Sequence, residues 1–138
     1  MRTIYLLSKE LADDPDQVRQ TQELTLDQSR PQLGLKGSRG LFGSAEWWEA
    51  ISQGMIPTRT ISGRILKVYV TGMERGLAPN TIDIRTSTGE EHVADIYVNS
   101  RKDRSEIRAG RWVEIVYALD DLKAGGALEI PIEVKLSD

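Results

Sequence analysis

Cysteine is absent from this chain of 138 residues, and histidine occurs once, at His92. The first absence excludes disulfides, a thiolate nucleophile and any zinc site built on cysteine, and it suits a reducing cytoplasm. The second leaves general acid–base chemistry with a single imidazole. His92 stands among Glu90, Glu91 and Asp95 and reads as a solvated strand position, so no metal site is expected. Long apolar runs are also missing. The opening Thr3-Ile4-Tyr5-Leu6-Leu7 is too short for a signal-peptide core or a membrane span, which points to a soluble cytoplasmic protein. Positive charge is scarce as well. The formal net charge is −3, and residues 61–138 hold eleven Lys/Arg against thirteen Asp/Glu. Binding to nucleic-acid backbones draws on a surplus of Lys and Arg, so a general nucleic-acid binder is disfavoured.

Catalytic constellations are missing too. The acid pairs Asp13-Asp14, Glu90-Glu91 and Asp120-Asp121 are adjacent in polar turns, whereas glycosidase chemistry needs carboxyls facing across a substrate. No serine sits in a Gly-x-Ser-x-Gly elbow. The glycines at 34, 37, 40 and 43 carry Lys36 and Arg39 but match neither the P-loop spacing nor the dinucleotide fingerprint. Gly37-Ser38-Arg39-Gly40 has the form of a KH-type backbone clamp without the flanking helices. These residues predict no enzyme and no cofactor.

What the chain does have is a well-signalled helix after that loop. Ser44 is a good N-cap, Glu46 suits the first turn, and Gly54 and Pro57 end the helix. Trp47, Ala50 and Ile51 share one face, with Trp48 a quarter turn round. Large rings here serve best as an anchor on a sheet. Upstream, Asp13-Asp14-Pro15-Asp16 is a helix start, and Gln17–Gln28 reads as a short helix or an irregular connection. Leu24 and Leu26, then Leu33 and Leu35, alternate as short strands do.

From Thr60 the pattern turns to strands. Ile61–Thr71 has Gly63 near its start, marking a bend or a close backbone approach. Thr81–Thr86 and Val93–Val98 flank the turn Ser87-Thr88-Gly89-Glu90. Asn99–Ala109 suits a turn or two of helix with Asp103 and Glu106 spaced as a capping box. Trp112–Leu119 follows, and then a strand in which Leu128, Ile130, Ile132, Val134 and Leu136 face one way. Pro131 inside it predicts a sheet edge. The order resembles an OB-type barrel over Thr60–Leu136, and an SH3-like barrel or a six-stranded meander fits it nearly as well.

The expected fold is therefore α+β, mainly antiparallel β. It is one domain over 1–138, with an N-terminal strand, loop and tryptophan helix in 1–59 and a small five- to six-stranded barrel in 60–138. The expected function is a binding module that recognises another protein, through the free face of an edge strand. A local anion or single-stranded nucleic-acid binder is the alternative, using Lys36, Arg39 and the run Arg101, Lys102, Arg104, Arg108 and Arg111. An OB-type face would stack bases on its second and third strands, where only Tyr97 is offered. A third reading puts a small ligand or a reaction at the barrel mouth near Trp47, Trp48 and His92. Trp48 is the candidate docking ring.

Overall fold

A computed structural model describes residues 1–72 and 78–138. The elements run β1 (Arg2–Leu6), α1 (Leu7–Asp13), α2 (Pro15–Leu26), α3 (Ala45–Ser52), β2 (Thr58–Tyr69), β3 (Thr81–Thr86) and β4 (Glu91–Asp95). A 3-10 turn (Arg101–Glu106), β5 (Trp112–Asp121) and β6 (Ala127–Leu136) complete the chain. The fold is α+β, with six strands in one antiparallel sheet of order β1-β6-β5-β2-β3-β4. The sheet is open, not the closed barrel that the strand order suggested. Closure would need a continuous ladder between β1 and β4. Instead Asn99, beyond β4, accepts from the Leu6 N–H through Oδ1 at 2.7 Å and donates from Nδ2 to the Leu6 carbonyl at 3.1 Å. Its own N–H reaches the Ile4 carbonyl at 3.1 Å. One side-chain amide thus satisfies backbone groups that a paired strand would otherwise take.

The chain forms two compact units. The first comprises Met1–Leu6, Thr60–Val116 and Glu133–Asp138. Ile65, Ile82, Ile84, Val113 and Ile115 are buried there, following the alternation of their strands. Gly63 is the close approach expected from sequence: a Cβ on it would lie 2.3 Å from the Arg85 carbonyl oxygen across the β2–β3 ladder. Two local expectations give way. β4 stops at Asp95, short of Val98, and the Ile96 N–H bonds to Asn80 instead. No capping box forms either, since Asp103 lies within the first turn of the 3-10 segment Arg101–Glu106 and not at its N-cap. Asp103 pairs instead with the remote Arg2 at 2.9 Å, and Glu106 with the nearby Arg111 at 3.1 Å.

The second unit comprises Leu7–Arg59 and Tyr117–Ile132. α1 starts directly from β1 without a sequence signal, burying Leu7 and Leu11 one turn apart. α2 takes up Leu24 and Leu26, which are therefore helical and not strand-like. Pro15 opens it, and Arg19 braces it outwardly by pairing with Asp16 and with Glu23. Leu35 retains only an isolated bridge to Leu122. α3 is capped as expected, Ser44 Oγ accepting from the Trp47 N–H at 3.2 Å. Pro131 does not mark an edge strand, because β6 stands second in the sheet order. It lies instead beyond the stretch paired with β1, whose last pair is Leu6 with Glu133.

Candidate functional site

A groove of about 520 Å³ lies in the second unit. One wall is the face of α2 bearing Gln17, Gln20, Thr21 and Leu24, positions that recur at helical spacing. The other is β6 from Leu128 to Pro131, with Leu35, Phe42 and Leu122 also lining it. Leu35, Phe42 and Ile130 are buried, while Leu128 is 44% exposed and supplies an apolar rim. The polar groups are amides, a hydroxyl and one carboxylate, that of Glu129. Apolar surface with a few placed polar groups is the chemistry of recognition.

Several side chains make this groove rigid. Gln22 Nε2 donates to the Phe42 carbonyl at 2.9 Å, tying α2 to the glycine loop. Lys123 Nζ donates to the carbonyls of Leu24 at 2.7 Å and of Asp27 and Arg30 at 3.2 Å each, closing the C-terminal end of α2 with a cation. Asp27 accepts from the Ser29 hydroxyl at 2.5 Å and the Ser29 N–H at 3.0 Å. Those two bonds hold its carboxyl below the usual carboxylate range, the hydroxyl contributing most. The glycine loop is held as well: the Lys36 N–H bonds to Asp121 at 2.8 Å and the Lys123 N–H to Gly34 at 3.1 Å.

Beneath the loop, Trp47 is fully buried and donates from Nε1 to Asp120 Oδ2 at 2.9 Å. Phe42 and Trp48 pack on its ring at centroid distances of 5.0 and 4.9 Å. Gly40 has φ of +104°, and a Cβ there would sit 2.9 Å from the Trp47 backbone nitrogen, so only glycine fits this turn.

Residues 1–135 match a protein family described as Immunity protein RhsI2. The chain belongs to that family. No curated protein matches it. Among the described residues no group of three or more His, Cys, Asp or Glu is placed to hold a metal ion, and no helix is long and apolar enough to cross a membrane.

Against that family assignment, the residues singled out from sequence divide by unit. Lys36 and Arg39 are exposed in the second, where Arg39 borders a shallow cavity of about 290 Å³ together with Glu46 and Glu49. Trp48 is half-buried, edge-on to Trp47. In the first unit Arg101 and Arg104 border a cavity of about 370 Å³ floored by Val68, Ile96 and Ile107. Arg104 is engaged there, donating to the Pro79 carbonyl at 2.8 Å. Lys102 and Arg108 are exposed, Arg108 lying 3.6 Å from Glu106. His92 in the first unit lies 3.6 Å from Glu90, whereas Trp47 is sealed in the core of the second. The groove residues Gln17, Thr21, Leu24, Phe42 and Leu128 escaped sequence reasoning. The signal that pointed nearest was Pro131, read as marking a sheet edge; it lies on β6 beyond the stretch paired with β1.

Proposed function

We propose that this chain is a non-enzymatic immunity protein that binds an Rhs toxin and keeps it inactive by covering its working surface. The match of residues 1–135 to the immunity family carries this reading. Inhibition by occlusion requires a preformed complementary surface and no reactive groups. The Lys123, Gln22 and Trp47 bonds supply the rigidity such a surface needs, because a partner then orders few side chains on docking. A chain without cysteine suits the cytoplasm, where we place the encounter.

Co-expression tests the proposal. Cells producing the cognate Rhs toxin arrest, and cells producing it together with this chain grow. The two purified proteins elute as one equimolar complex by size exclusion with light scattering. Unrelieved arrest together with separate elution at micromolar concentrations overturns the reading.

A further inference from the structure

Three observations converge on one face of the second unit. The first is shape: the 520 Å³ groove runs between the Gln17–Leu24 face of α2 and Leu128–Pro131 of β6, with exposed Leu128 at its rim. The second is backbone. The β1 register ends at Glu133, while β6 continues back to Ala127, so residues 127–132 carry no β1 partner. Backbone groups along such a stretch are able to accept an added strand. The third is charge. The second unit holds eleven Asp/Glu against seven Lys/Arg, whereas the first holds ten against eleven. Within the second unit, residues 7–27, which contain the groove's helical wall, hold six acids against two bases. The helical wall itself lines the groove with amides, a hydroxyl and Leu24, and Glu129 opposite, the one carboxylate in the lining, lies 3.6 Å from Arg59.

We infer that this groove is where the toxin docks, and that the docked element is an extended toxin segment carrying an apolar side chain flanked by Lys or Arg. The inference rests on the immunity reading and specifies its surface. The apolar side chain inserts over Leu24, Phe42 and Leu128. The segment's backbone lies along residues 128–131, and its flanking cations meet the net acidic surroundings of the second unit.

Calorimetry of the full-length chain with the purified toxin tests this. Leu128→Ser and Glu129→Lys are changes at exposed positions, and circular dichroism melting checks that each variant keeps the wild-type fold. Each should weaken toxin binding about tenfold or more, as truncation of an interface anchor does. Wild-type affinity should fall with added salt, and the Glu129→Lys variant should show a shallower dependence. Hydrogen exchange should show new protection at Leu128, Ile130 and Ile132 in the complex. Val93→Asp, on the exposed β4 strand, should leave affinity unchanged. If wild-type binds while both groove variants bind equally well and protection appears elsewhere, the groove assignment is overturned and the immunity reading stands. Loss of affinity in Val93→Asp alone overturns it in the same way. A wild-type chain that does not bind the toxin at all overturns both.

Discussion

The indole N–H of Trp47 donates to Asp120 Oδ2 at 2.9 Å, with Trp47 fully buried and Asp120 only 2% exposed. The carboxylate also accepts from the Asp121 N–H at 3.0 Å through its other oxygen. This pair fastens α3 to the β5 end of the hairpin that carries one groove wall. Both partners lie in the second unit, 73 residues apart in sequence.

Removing either partner should therefore be costly, for different reasons. Asp120→Ala leaves a buried indole donor unpaired and should destabilise by about 1–3 kcal/mol. Trp47→Ala empties the space beneath the glycine loop and should cost about 3–5 kcal/mol. Trp48→Ala, at a half-buried ring, should cost less than Trp47→Ala. Urea denaturation orders the three, and a Trp48 variant less stable than the Trp47 variant contradicts the placement.

Gly63→Ala should destabilise the first unit. The added methyl meets the Arg85 carbonyl oxygen at 2.3 Å, and backbone cannot give way as a flexible side chain does. Overpacking of this kind costs about 1–3 kcal/mol or more. A thermal melt identical to wild type shows that β2 and β3 are not held this close.

Lys123→Met keeps the length of the side chain and deletes its charge. Three carbonyls, those of Leu24, Asp27 and Arg30, then lose a cationic donor. The expected loss is about 1.5–3 kcal/mol, with faster amide exchange over the C-terminal turn of α2. Unchanged exchange there indicates that the cation does not close this helix.

Asp27 gives a prediction in pH. Hydrogen bonds from Ser29 lower its folded-state pKa, so the stabilisation it provides is present above its unfolded pKa. That stabilisation is lost as pH falls through the folded value. Carboxylate NMR titration should place Asp27 below ordinary aspartates, and Ser29→Ala should move it up toward them. An Asp27 titration unaltered by Ser29→Ala rules out the hydroxyl as the cause.

Much of the fold was legible because local signals agreed with their surroundings. Ser44, the glycine after α3 and the alternation of β3 and β6 all act within one turn or one pleat. α1 was invisible because Leu7 and Leu11 are separated by polar residues and no cap announces the helix. The groove was hidden for a deeper reason. Its walls come from residues near 20 and near 130, and Leu24 looks like a stray apolar residue until Phe42 and Leu128 are seen beside it.

By itself the sequence determined an acidic, cysteine-free α+β chain whose second half is strands, because charge, composition and side-chain period are properties of local stretches. Only the tertiary structure decided that the sheet stays open, that Asp103 answers the guanidinium of Arg2 instead of capping, and that Pro131 borders a groove. Each of those depends on which distant residues arrive within hydrogen-bond or packing distance, and spacing along the chain does not encode that arrival.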